Sequence, residues 1–291
     1  MSKKDSNFQK LVMSFAYRGK EIFKPLNTGF IDENVACVRE WIANIFFYTK
    51  NNKTIMIDAG YNYPRLKEKM EWLGIKAQNI EHILITHQDT DHVGAIEEDS
   101  EGLFKNAKIY LSHIENQYLT GEKKRRVIFG LYTLPKVKCH NERKLLQDGD
   151  VFYIYDIKIE AILVPGHTAG HMVYLVDDSY LFTGDTLWFG ADGGYSFINS
   201  LATDNRLALR SLKKLKDTLL ARKAFPKVIT GHTGWSDEKE FVFAHTDKIC
   251  NSFKRQKPHD PTAPYDGYDE REDTKENALK NRLPKAFWIK E

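Results

Sequence analysis

Thr86-His87-Gln88-Asp89-Thr90-Asp91-His92 puts four metal-ligand side chains within six residues. Imidazole nitrogen and carboxylate oxygen are both ligands of first-row metals. Residues two apart on extended chain point the same way, so His87, Asp89 and Asp91 can converge on one side. The run His82-Ile83-Leu84-Ile85-Thr86 ahead of it reads as a buried strand, and Val93-Gly94-Ala95-Ile96 behind it reads as the start of a helix. A turn carried on such rigid elements is a common place for functional side chains.

Three later segments share one form: an apolar strand, a glycine, then one ligand-type residue. They are Val164-Pro165-Gly166-His167, running on to Gly170-His171, then Thr183-Gly184-Asp185-Thr186, then Thr230-Gly231-His232-Thr233-Gly234. A lone histidine at a strand end is usually structural. Three such ends beside the cluster at 87–92 point to one shared site.

The surrounding chain reads as strands interleaved with helices. Ile42 to Thr49 and Thr54 to Asp58 form a hairpin across Lys50-Asn51-Asn52-Lys53. Pro64 to Leu73 is a helix that Gly74 can terminate. Ala107–Leu111 is a further strand. In the second half, Val151–Tyr155, Ile157–Val164, Met172–Val176, Tyr180–Thr183 and Pro226–Thr230 are strands. Ala208, Leu212, Leu215 and Leu219 fall at helical spacing within a helix from Asp204 to Arg222. Two halves of this kind suggest two sheets packed together with helices outside.

The chain has 291 residues, 42% of them hydrophobic, enough for one large α/β domain. A net charge of +3 gives no general case for nucleic acid. No apolar run approaches a membrane span and no signal-peptide pattern opens the chain. Cys37, Cys139 and Cys250 are sparse and odd in number, which suits structural thiols in a reducing cytoplasm. Residues 119–144 carry eight Lys/Arg and two Glu, with Lys123-Lys124-Arg125-Arg126 contiguous. That stretch is a solvated insertion or a loop that attracts anionic substrates to the site. Residues 1–253 are expected to form the catalytic domain and 254–291 a polar extension. Its Tyr265, Tyr268, Phe287 and Trp288 offer anchors to the body or to a second copy in a homodimer.

The ordered set His87-Gln88-Asp89-Thr90-Asp91-His92, Gly166-His167, Gly184-Asp185 and Gly231-His232 resembles the metallo-β-lactamase superfamily. The family pattern is HxHxDH followed by Gly-His, Gly-Asp and Gly-His, and its early Asp-Gly appears here as Asp58-Ala59-Gly60. The resemblance implies an αββα sandwich with metals at one edge of the sheets. It implies two divalent ions: one on His87, position 89 and His167, the other on Asp91, His92 and His232, with Asp185 between them. Asp58 would orient a ligand from behind. Two such ions share a water, lower its pKa towards about 7 and deliver a metal-bound hydroxide to a carbonyl or phosphoryl centre. The implied activity is hydrolysis of a small ester, lactone, thioester or phosphodiester. Asp91 is the candidate proton acceptor. His171 is either a substrate or proton-donating group or a packing histidine, and Tyr195 is a candidate oxyanion donor.

The departure is Asp89, where the family usually has His. Zinc is the expected metal, and the harder oxygen donor at position 89 makes iron or manganese the alternatives. The family's flavodiiron branch carries a carboxylate at this position. The alternative is therefore a di-iron oxidoreductase that needs a separate electron donor.

Overall fold

The computed structural model describes residues 25–97, 102, 104–127, 130–190, 192–197, 201–249, 273–280 and 283. Residues 254–272, Cys250, and the aromatic anchors proposed at Tyr265, Tyr268, Phe287 and Trp288 lie outside them.

The first half builds one sheet. Strands β1 (Gly29–Phe30), β2 (Val35–Glu40), β3 (Ala43–Lys50) and β4 (Lys53–Ile57) run antiparallel. The β3–β4 turn places Asn51 and Asn52 at positive φ, the backbone form that a two-residue hairpin favours and Asn tolerates. Helix α1 (Tyr63–Trp72) starts on Asn62, whose side chain accepts from Arg65 N–H, has Pro64 in its first turn, and gives way to Gly74 at positive φ. Strand β5 (His82–Leu84) then pairs parallel to β4, and α2 (Thr90–Glu97) follows it. After β6 (Lys108–Ser112) and α3 (His113–Thr120), a small hairpin of β7 (Arg126–Val127) and β8 (Tyr132–Thr133) precedes β9 (Arg143–Leu146). The seven-stranded sheet has the order β1-β2-β3-β4-β5-β6-β9.

The second half builds the facing sheet from β10 (Asp150–Ile154), β11 (Ile157–Leu163), β12 (Met172–Val176) and β13 (Tyr180–Phe182). A short sheet of β14 (Leu187–Gly190) and β15 (Gly193–Ser196) leads to the long helix α4 (Asn205–Leu220), capped by the Asp204 carboxylate on Leu207 N–H. Strands β16 (Lys227–Thr230) and β17 (Gly234–Ser236) complete the six-stranded order β10-β11-β12-β13-β16-β17. A one-turn helix α5 (Lys239–Val242) connects to β18 (His245–Ile249), which pairs with β15.

Alternation along the strands divides the core into three layers. Phe46, Tyr48, Ile55 and Ile57 meet Ile157, Ile159, Met172 and Tyr174 between the sheets. Ile45, Phe47 and Met56 turn the other way, onto Tyr63, Leu66 and Val93 of α1 and α2. Val173, Leu175 and Leu181 back onto Leu212, Leu215 and Leu219 of α4. This is the αββα sandwich read from the sequence. Among the described residues no helix is long and apolar enough to cross a membrane.

The chain after residue 272 is fastened to the first sheet. Asp273 accepts from Thr28 N–H and from Lys69 Nζ at 2.7 Å, with both partners of that ion pair almost fully buried. Ala278 of the short helix α6 (Lys275–Ala278) and Leu283 are buried, and Leu283 O accepts from Trp235 Nε1. Removing one partner of a buried pair leaves an uncompensated charge, so Asp273→Ala is expected to cost on the order of 3 kcal/mol in urea unfolding.

Candidate metal centre

Each ligand-type residue stands where a strand of the two facing sheets ends. Asp58 follows β4 at positive φ, a conformation that Asp tolerates. Its Oδ1 accepts from Thr86 N–H at 2.8 Å, which fixes the start of the ligand turn. Its Oδ2 lies 2.8 Å from His92 Nδ1. With Nδ1 so engaged, His92 turns Nε2 into the site. His232 is set in the same way by Ile42 O, 2.6 Å from its Nδ1. Thr86 Oγ1 lies 3.0 Å from His87 Nδ1.

The ring nitrogens then converge on Asp185. His92 and His232 bring Nε2 to 3.1 Å from Asp185 Oδ1. His167 and His87 bring theirs to 3.5 and 3.9 Å from Oδ2. Asp91 Oδ2 lies 3.7 and 3.6 Å from the Nε2 atoms of His92 and His232. The ligand atoms of His87, His167 and Asp185 lie within 4.8 Å of one another, as do those of Asp91, His92 and His232. Asp185 faces both groups. This donor set fits two divalent cations, and the buried His87 Nε2 has no hydrogen-bond partner, as a nitrogen reserved for a metal would.

The titration of these groups follows from their crowding. Burial raises Asp91 above its usual range. Burial would lower His92, but Asp185, Asp91 and Asp58 hold it well above the ordinary imidazole value. His232 is raised against burial by Asp185. Burial and the neighbouring His92 push His87 well down. Asp185 is held low against burial by His232 and His92.

Asp89 has a partner that the sequence did not reveal. Arg125 Nε meets its Oδ1 at 2.8 Å and Arg125 Nη2 meets its Oδ2 at 3.0 Å, a two-pronged pair with both side chains buried. Burial raises the carboxyl, but Arg125, His167 and His87 together hold Asp89 well below the usual range. Oδ2 still lies 3.2 Å from His167 Nε2 and 3.7 Å from His87 Nε2. Asp89 therefore remains beside the first group of ligands with its charge already matched.

Glu115 was also missed. Its carboxylate accepts from Gln88 N–H at 3.0 Å, Thr168 Oγ1 at 2.6 Å and Gly170 N–H at 2.9 Å, so it ties the His87 turn to the His167 turn. Burial lifts it to about 7 against the bond from Thr168. Ser112-x-x-Glu115 was a visible signal: Ser112 caps α3 on Glu115 N–H, and the glutamate turns inward.

Two candidate substrate residues fall elsewhere. His171 is fully buried, receives Asp185 N–H on Nε2 at 3.1 Å and pairs through Nδ1 with Thr186 Oγ1. It supports the Asp185 turn from below and cannot reach a substrate. Burial drops it to about 3. Tyr195 is buried on β15 and donates to Asp192 Oδ2 at 2.7 Å, away from the residues that line the cleft over the ligands.

A sequence model of the metallo-beta-lactamase superfamily matches residues 38–224. The chain belongs to that superfamily. A hydroxyacylglutathione hydrolase of Buchnera aphidicola subsp. Schizaphis graminum is 31% identical over 148 residues, which cover 50% of this chain and 47% of that protein. A probable polyketide biosynthesis zinc-dependent hydrolase of Bacillus velezensis is 31% identical over 134 residues, covering 46% of this chain and 49% of that protein. The chain thus spans about half the length of the curated relatives it matches. A B3 metallo-beta-lactamase with an active-site glutamic acid aligns in structure at 19% identity with a TM-score of 0.54, over 77% of this chain and 87% of that one, and shows the shared fold.

Asp58 holds both the start of the 87–92 turn, through Thr86, and the His92 ring. Asp58→Asn keeps the shape and removes the charge behind His92. It is expected to weaken Zn²⁺ binding about 10- to 100-fold, measured by competition with a chromophoric chelator.

Proposed function

We propose that this protein is a metal-dependent hydrolase, zinc-loaded at two sites, acting on a neutral carboxylic ester or thioester with an apolar acyl group. The observation that carries this reading is the cleft over the ligands. It is lined at the candidate ligands by Asp89, Asp91, Asp185 and His232. Above them stand Trp41, Tyr61, Val127, Tyr132, Leu134 and Phe197. Among the described residues no Lys or Arg lines it. An acyl chain would find apolar surface on this wall worth roughly 25 cal/mol per Å² removed from water.

When bound, the ions supply a Lewis acid and acidify a water. The chain's residues do the rest. His87, His167 and Asp89 would hold one ion, Asp91, His92 and His232 the other, and Asp185 both. Phe197 stacks on His232 with ring centroids 5.4 Å apart and fixes that ligand against the wall. The aromatic wall excludes water and holds the acyl carbon near the ligands. Asp91 keeps 22% of its side chain accessible at the base of the cleft, so it can accept a proton there.

The redox alternative drew on Asp89 as a hard anionic donor. Pairing with Arg125 matches that charge within the protein, which supports hydrolysis over di-iron chemistry. The relatives named as hydrolases support the same reading.

A series of 4-nitrophenyl esters tests it. With the zinc-loaded protein, kcat/KM is expected to rise about tenfold or more from acetate to hexanoate, and to fall by at least about 100-fold in Asp185→Ala on every ester. Equal rates along the series would overturn the acyl assignment. Full activity in Asp185→Ala would overturn the hydrolase.

A further inference from the structure

The basic run at 123–126 divides sharply. Lys123, Lys124 and Arg126 are exposed, while Arg125 is 3% exposed and aimed at Asp89. Its guanidinium also donates from Nη1 to Thr203 Oγ1 at 2.9 Å and from Nη2 to Leu201 O at 2.8 Å. Thr203 in turn donates to His167 O through both its N–H and its Oγ1. One side chain therefore joins the ligand turn, the His167 turn and the 201–203 segment. Its own carbonyl accepts from Leu134 N–H, which fastens the β7–β8 hairpin that carries Val127 and Tyr132 into the cleft.

The superfamily resemblance expects a neutral imidazole at position 89, and this chain has a carboxylate. A carboxylate alone would add one negative charge to the first group of ligands. A guanidinium bonded to both of its oxygens returns the sum to that of an imidazole. We propose that Asp89 and Arg125 act as one electrically neutral donor unit at the first metal site, with Arg125 a positioning residue that sets how tightly that site holds a divalent ion. Oδ2, bonded to Arg125 Nη2, is also the oxygen beside His167 and His87 Nε2 and would be the one to meet an ion. A positive charge one side chain away repels a divalent cation, so Arg125 keeps the first site looser than the second. The same geometry withdraws Arg125 from substrate recognition, because its donors are directed to Asp89, Thr203 and Leu201.

This proposal rests on the metal-centre reading and on no particular substrate, so its test uses Zn²⁺ alone. Zinc is titrated against a chromophoric chelator into the full-length protein and into Arg125→Gln. The wild type is expected to show two binding steps. In Arg125→Gln the looser step is expected to tighten by roughly tenfold or more, with the tighter step unchanged. A strut that merely props up the site would give the opposite sign, because its loss can only weaken binding. An unchanged or weakened looser step in Arg125→Gln therefore overturns the proposal.

Arg125→Gln leaves a buried carboxylate unmatched and can fail to fold, so the comparison is repeated on a neutral background. Asp89→His with Arg125 retained is expected to bind the first ion more weakly than the double variant Asp89→His/Arg125→Gln, and the double variant to approach the wild type. Equal affinities in the two would also overturn the proposal. A wild type that binds no zinc would instead overturn the metal centre itself.

Discussion

Charge buried at the ends of strands is the constraint on which this site depends. An unmatched carboxylate in a protein interior costs several kcal/mol, and the cost falls only when a donor or cation faces it. Asp58 is matched by Thr86 and His92, and Asp89 by Arg125. Asp91 and Asp185 are left facing a ring of imidazoles. These carboxylates raise the imidazoles of His92 and His232 against burial, so positive charge is favoured there. Two divalent cations would meet the same need and keep the imidazoles neutral for coordination.

The backbone is arranged to make this convergence possible. Gly184 at positive φ approaches Thr86 and His171 so closely that a Cβ would come within 2.9 Å of both side chains. Gly231 packs against Asp185 and the Gly184 carbonyl. Glycine therefore precedes Asp185 and His232 because two strand ends from one sheet must touch there. Glu115 then links the turns contributed by the two halves of the chain.

Much of this was legible in the sequence, because local pattern and tertiary environment agreed. Apolar strand-like runs located β3, β4, β11 and β12, helical spacing located α4, and strand-end glycines pointed to the His and Asp residues that converge. Strand β2 was missed because Arg39 and Glu40, both buried, end its short apolar run with charge. The small sheet of β14, β15 and β18 was missed because β14 and β15 are four-residue strands that contain glycine and β18 is mostly polar. Arg125 was hidden among like charges. Its one local signal is period-two burial, with Arg125 and Val127 inward and Arg126 outward. Composition alone could not separate the inward arginine from its solvated neighbours. His171 sits four residues after a ligand, but on the far side of a turn, where sequence distance says nothing about direction. The described chain after 272 is held by Asp273, Ala278 and Leu283, a carboxylate and two small contacts that no compositional reading would single out.

A floor of charge under a wall of apolar rings gives the site two separate tasks, one electrostatic and one steric. Arg125 sits where they join, bonded to a ligand below and to the hairpin and loop that form the wall above. The central claim is that the buried charges at the strand ends are completed by metal. Zinc content is the direct measurement: the protein is incubated with excess Zn²⁺, freed of unbound ion by gel filtration, and analysed for zinc by elemental analysis. About two ions per chain are expected, and a chain that emerges with no zinc would contradict the account.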